Sequence, residues 1–170
     1  KAEIGEILNA LNSKSTEKNA TAKAILNEFK ESKNIKITDY MAFSSSRKLS
    51  GMTFSKNKSS EESIVFGAPE FILKNLANKS EFNKLSKEID ALASKGLRVL
   101  LLAKFEKSGK IKNLLENEKL SPIAIITLKN ALRPNVQETV SFLQERGVSI
   151  RVISGDNPRT VSFIASEAGV

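Results

Sequence analysis

The spacing of apolar residues changes character near Lys129, and no single supersecondary pattern satisfies both sides of it. Upstream, short apolar runs lie a turn apart. Ile35, Ile37, Tyr40, Met41 and Phe43 alternate roughly as a strand over 35–43, Ser44-Ser45-Ser46 is turn chemistry, and 49–54 reads as the returning strand. Residues 55–63 form a polar tip, and 64–66 a third strand stopped by Gly67. Further apolar strands are expected at 97–105 and 122–128, with a turn or short helix in the polar stretch 106–120. Ile4, Ile7, Leu8 and Leu11 predict a helix over 3–12, and Ala24, Ile25 and Phe29 one over 21–33. Pro69 suits a first helical turn, with Glu70 at the positive end of the dipole of a helix over 69–77. The stripe Phe82, Leu85, Ile89 and Leu92 predicts a helix over 81–95, with Gly96 just past its end.

Downstream the period alternates between strand and helix. A helix over 134–146, a Gly147 stop, a strand over 148–153, a Gly-Asp-Asn-Pro turn and a helix over 158–168 give an α-β-α run with parallel-sheet flavour. The expected fold is therefore α+β. A mainly antiparallel sheet of about five or six strands, with helices packed on one side, covers residues 1–129. A partial α/β segment covers residues 130–170, and the boundary is placed at 129–134. The later segment lacks partner strands for its own strand, so it is expected to be less ordered or covered by a neighbour.

Composition removes several chemistries. The 170 residues suit one domain, or a small domain with a piece of a second. The chain has no Cys and no His, which excludes disulfides, thiolate chemistry, imidazole catalysis and the usual zinc sites. Apolar runs such as 99–103 fall far short of the roughly 18 residues of a membrane span. No signal peptide opens the chain, which starts at Lys1 without Met, and it reads as an excised part of a longer polypeptide. The formal charge of +8 favours polyanions without choosing among nucleic acid, anionic membrane and nucleotide. With one Tyr and no Trp, base-stacking platforms are scarce, and a solvated Lys-rich surface accounts for the charge equally well.

Four segments can carry chemistry. In residues 151–158 a hydrophobic strand runs into Ser154, Gly155, two N-capping residues and Pro158. Ligands of parallel α/β sheets gather at such strand ends, and the free amides with the Ser154 hydroxyl suit a phosphate; a plain capped turn is the alternative. In residues 43–48, Phe43 ends a strand before Arg47 and Lys48, a pattern that can stack a base and neutralise phosphate, or simply close a hairpin. Gly67 and Ala68 permit close backbone approach of a ligand, or make an ordinary strand-turn-helix. Arg98 enters an apolar strand and demands a partner, either a ligand phosphate or a protein carboxylate.

Taken in order, these segments resemble the P-type cation-transporting ATPases. Phe-Ser-x-x-Arg-Lys from Phe43, Gly-Ala-Pro-Glu from Gly67, Gly-Leu-Arg-Val-Leu from Gly96, Leu-Arg-Pro from Leu132 and Ser-Gly-Asp-Asn-Pro-x-Thr from Ser154 follow one another over almost the whole chain. The 153–160 stretch is similar to the family's TGDNPxT segment, and Asn19–Ile25 to the helix opening near its adenine pocket. The resemblance implies a nucleotide-binding domain over 1–129 and the first part of the phosphorylation domain over 130–170. It implies ATP with Mg²⁺ as cofactors, the metal ligands lying mostly elsewhere in the polypeptide and none in these residues. Phe43 then matches the adenine-stacking position, Lys48 a basic residue near the nucleotide, Arg98 the phosphate contact, and Phe66, Gly67 and Ala68 the pocket wall. Arg133 matches a hinge Arg, and Ser154, Gly155 and Asp156 the turn that supports phosphoryl transfer.

Some positions depart from the family. Phe66 stands where many members have Lys, Ala22 where an acid often faces adenine, Ser45 where Arg is common, Asn130 at the hinge Asp and Ser154 at the Thr of the turn. These departures imply weak nucleotide binding. The DKTGT segment that carries the phosphorylated Asp does not occur in these residues, so no phosphoryl transfer is expected from them. The implied partners are ATP and the phosphorylation, actuator and transmembrane parts of the same polypeptide, at the cytoplasmic face of a cell membrane; no nucleic acid is expected. A haloacid-dehalogenase-like phosphatase and a basic nucleic-acid-binding module remain as alternatives. The first would need an Asp-x-Asp after a strand, and the only Asp residues are Asp39, Asp90 and Asp156.

Overall fold

The computed structural model describes residues 2–15, 19–31, 34–56, 60–129 and 132–170. Asn130, the expected hinge position, lies outside them. Five strands run β1 (Ile35–Ser44), β2 (Leu49–Lys56), β3 (Glu62–Gly67), β4 (Leu97–Phe105) and β5 (Leu120–Lys129). They form one sheet in the order β1-β2-β3-β4-β5, and the pairs from β1 to β4 are antiparallel. Pro122, which has no N–H to give a ladder, falls in edge strand β5. The helices are α1 (Ala2–Ser13), α2 (Ala20–Glu28), α3 (Pro69–Leu73), α4 (Lys79–Ala93), α5 (Ile111–Asn117), α6 (Val136–Glu145) and α7 (Pro158–Glu167).

Two helices are shorter than their sequence periods suggest. Phe29 ends α2 by turning extended, and its ring lies against Gly5, where a Cβ would strike it. The backbone of 75–77 leaves α3 to bond the start of β5, with Leu120 N–H donating to Asn75 O and Ala77 N–H to Leu120 O.

Contacts divide the chain into two compact units, residues 1–83 with 100–126, and residues 84–99 with 127–170. Residues 84–99 thus group with the C-terminal part, although the sequence pattern changes only near Lys129.

The first unit has helices on both faces of the sheet, not on one. Residues of β2 and β3 are buried almost without a break, as strands covered on two sides must be. Met52, Phe54, Ile64, Phe66 and Leu102 point into a cluster with Ile7, Leu8 and Leu11 of α1 and Ile25 of α2. The alternate positions Gly51, Thr53, Ser63 and Val65 face the other way, and Ile111 of α5 packs at Gly51. On that side Thr53 and Ser63 are paired across the strands: Thr53 Oγ1 donates to Gly109 O, and Ser63 Oγ donates to Thr53 Oγ1 at 2.7 Å and accepts from Gly109 N–H at 3.1 Å. Asp39, opposite Thr53, accepts from Ile111 N–H at 2.8 Å, capping α5 from a distance. This polar row anchors the 106–119 connection, whose own residues offer α5 no side-chain cap.

In the second unit the strand expected over 148–153 does not form. Those residues carry no regular structure, and Ile153 is 98% exposed. The apolar alternation is present, but a strand exists only through hydrogen bonds to a neighbour, and none of the described strands flanks it. Helices α6 and α7 form as expected, with Asn157 capping α7 through Arg159 N–H at 2.9 Å.

Candidate functional site

In the first unit, the β1–β2 hairpin and the end of β3 build one corner. The β1 register slips between Met41 and Ser44, and this bulge turns Phe43 outward, leaving its ring 47% exposed. The turn behind it is fixed by its own serines. Ser44 O accepts from Lys48 N–H at 2.7 Å, Ser44 Oγ lies 2.8 Å from Ser46 Oγ, and Arg47 reaches back to Ala42 O at 3.1 Å. Ser45 is exposed in that turn.

Lys48 closes the turn in the left-handed region, φ 52°. Its carbonyl accepts from Ala68 N–H at 3.0 Å. A Cβ on Gly67 would run into Lys48 O and come within 3.0 Å of Leu49 Cα. Ser44 pairs with Leu49 and Leu49 with Gly67; Phe43 lies one residue to one side of that row in β1, and Lys48 and Ala68 lie on its other side, just outside β2 and β3. Glycine at 67 suits either ligand approach or a plain turn, and the close approach seen is to the chain's own hairpin.

Phe66 is 4% exposed and belongs to the core cluster, as Ala22, also 4% exposed, belongs to the packed face of α2. Both side chains point inward, Phe66 from β3 and Ala22 from α2.

In the second unit Arg98 has the protein partner that the strand position required. Its Nη2 donates to Asp156 Oδ1 at 2.8 Å, and both side chains are partly exposed. The turn that presents Asp156 is held locally, with Asp156 N–H donating to Ser154 Oγ at 3.2 Å. Ser154, Gly155 and Asp156 are all exposed, and nothing lies within 4 Å of where a Gly155 Cβ would stand. Arg133 is exposed ahead of α6, its carbonyl accepting from Val136 N–H at 3.3 Å.

Thr160, which closes the Ser-Gly-Asp-Asn-Pro-x-Thr run, is buried, and its hydroxyl donates to Leu97 O at 3.2 Å, with Ala93 O, at the last residue of α4, 3.5 Å away. Arg159 pairs with Asp90 at 3.5 Å, and the Phe163 ring fills the space over Gly96, whose φ of +73° and lack of Cβ allow it. The only sequence signal for this was a hydroxyl two places after the helix-starting Pro158.

No three Asp or Glu side chains gather as a metal site among the described residues. The one carboxylate of the 154–157 turn, Asp156, is paired with Arg98, which is a poor arrangement for a hard divalent cation.

The haloacid dehalogenase-like hydrolase family model matches residues 3–170. The chain belongs to that family. Within this hydrolase family the curated relatives are ion-transporting ATPases. Calcium-transporting ATPase CtpE of Mycobacterium bovis is 28% identical over 167 residues, 98% of this chain and 19% of that protein. Probable cation-transporting ATPase exp7 of Streptococcus pneumoniae is 30% identical over 166 residues, 98% of this chain and 20% of that protein. Putative calcium-transporting ATPase 13, plasma membrane-type, of Arabidopsis thaliana is 34% identical over 146 residues, 75% of this chain and 14% of that protein. The chain thus spans about a fifth of the length of the first two. The resemblance to P-type cation-transporting ATPases stands, and it runs through the whole hydrolase match.

Proposed function

We propose that this chain is the cytosolic ATP-binding portion of a P-type cation-transporting ATPase. Residues 1–129 serve as its nucleotide-binding domain, and residues 130–170 open its phosphorylation domain beyond a hinge at Arg133. In this reading ATP drives phosphorylation of an Asp elsewhere in the polypeptide, and the actuator and transmembrane parts turn that into ion movement. The same reading places the chain at the cytoplasmic face of a cell membrane. No helix of the described residues is long and apolar enough to cross a membrane. Mg²⁺ would come with the nucleotide and with ligands beyond these residues.

The observation that carries the reading is Phe43. A bulge in β1 turns this large apolar residue outward in the hairpin that also carries Lys48; the family resemblance assigns the position to adenine. Stacking on it is worth roughly 1–3 kcal/mol. Lys48 adds charge near the nucleotide, Gly67 and Ala68 form the wall, and Phe66 supports that wall from the core. Arg98 is the phosphate contact, and Ser154, Gly155 and Asp156 assist phosphoryl transfer. Phe66 in place of Lys and Ala22 in place of an acid remove two polar contacts. With the entropic cost of holding a free ligand, the dissociation constant for ATP falls on the order of 0.1 to several mM.

An ATP titration followed by amide shifts tests this. Shifts centred on Phe43, Lys48 and Gly67 support it. Shifts confined to residues 154–157 would sink it.

A further inference from the structure

We infer that Asp156 is a built-in competitor for the phosphate contact, so that a phosphoryl group reaching Arg98 must displace it. This rests on the reading of Arg98 as that contact. The ion pair is made by one nitrogen and one oxygen, Nη2 to Oδ1 at 2.8 Å, and not by the two-pronged match an Arg can give a carboxylate. Side-chain exposures of 39% for Arg98 and 52% for Asp156 leave water and anions free to reach it. Such a pair is weak enough to exchange.

Asp156 does not meet Arg98 by chance of a floppy turn. Two residues before it, Ser154 Oγ accepts the Asp156 N–H at 3.2 Å. Four residues after it, Thr160 donates to Leu97 O at 3.2 Å, the carbonyl adjoining Arg98. Arg159 pairs with Asp90 at 3.5 Å, one helix turn back along α4 from its end. The turn is therefore pinned on both sides of the carboxylate, and its charge is delivered to the one guanidinium the family motif assigns to phosphate. A terminal phosphoryl group carries about −1.5 to −2 against −1 for Asp156 and can meet the guanidinium with two oxygens, so it wins the cation when present. In its absence Asp156 shields Arg98.

The test uses the 170-residue chain in excess EDTA, so that no divalent cation bridges carboxylate and phosphate. Inorganic tripolyphosphate is titrated while the Arg98 side-chain signal is followed. Asp156→Asn should bind it about two- to five-fold tighter than the parent, the weight of an exposed ion pair. The gain should vanish when Arg98→Gln is added, since it acts through that guanidinium. Thr160→Val, which frees the turn without removing the charge, should give part of the same gain. Equal or weaker binding by Asp156→Asn, a gain that survives Arg98→Gln, or no tripolyphosphate binding in either form overturns the inference. ATP that moves no amide near Phe43 in any variant overturns the nucleotide reading instead, a separate result, because tripolyphosphate reports on Arg98 without adenine.

Discussion

Phe43 is exposed because a bulge in β1 points it away from the core, so truncating it separates binding from stability. Phe43→Ala should weaken ATP binding by at least several-fold, in line with roughly 1–3 kcal/mol of stacking. The urea midpoint should barely move, since the ring packs on little. A large loss of stability with unchanged ATP shifts would reverse its assignment. Gly67 makes the opposite case. A methyl there meets Lys48 O, a backbone atom that cannot rotate aside, and Ala68 N–H would lose its grip on the same carbonyl. Gly67→Ala should cost about 1–3 kcal/mol of unfolding free energy, measured by urea denaturation, and loosen the whole corner. Sequence singled out both residues, but for Gly67 it could not tell a ligand from the hairpin, because either demands the same missing side chain.

At the scale of elements, the strands of the antiparallel sheet were legible because each is flanked by its own turn chemistry. The polar tether over 106–119 was not, because its stability comes from Asp39, Thr53 and Ser63, far away in sequence. Asp39→Ala should leave Ile111 N–H without an acceptor and cost about 0.5–2 kcal/mol, the usual weight of a lost helix cap. The Ile111 amide should exchange with solvent faster while amides of β3 keep their protection. Helix α1 is tied to β2 by Lys56, which meets Glu6 at 2.9 Å and Glu3 at 3.5 Å. The hydrogen bond that Lys56 donates to Glu6 is the largest cause holding the Lys56 pKa above its usual value. Raised in the folded state, this group adds stability that is complete below the ordinary lysine pKa of about 10.4 and is lost as pH rises through the higher folded value. Thermal unfolding should show an alkaline loss that Lys56→Met reduces, the raised Lys107, bonded to Glu118, supplying part of the remainder. The strand expected over 148–153 shows the limit of periodicity. Apolar alternation marks a segment fit for a sheet, but the partner that would make it a strand is not written in the segment itself.

For the whole molecule, the order of weak motifs was informative where each alone was not. Phe43, Gly67–Ala68, Arg98 and Ser154–Asp156 each admitted a plain structural reading, yet their succession resembles the P-type cation-transporting ATPases, and cation-transporting ATPase relatives align over 98% of the chain. Phosphoryl transfer in this family's ion pumps needs an Asp nucleophile, and the chain contains three Asp residues. Each has structural work. Asp39 accepts from Ile111 N–H at 2.8 Å, Asp90 pairs with Arg159 at 3.5 Å, and Asp156 pairs with Arg98 at 2.8 Å. A carboxylate committed to a helix amide or a guanidinium is a poor nucleophile, and no cluster of acids among the described residues offers the metal that would offset the charge of the incoming phosphate. Incubation of the 170-residue chain with ATP labelled at the γ-phosphate, in the presence of Mg²⁺, should therefore leave no acid-stable, hydroxylamine-sensitive label on the protein. Asp156→Asn should behave identically. Label that accumulates on the parent and disappears with Asp156→Asn would make Asp156 a nucleophile and remove the supporting role proposed for its turn.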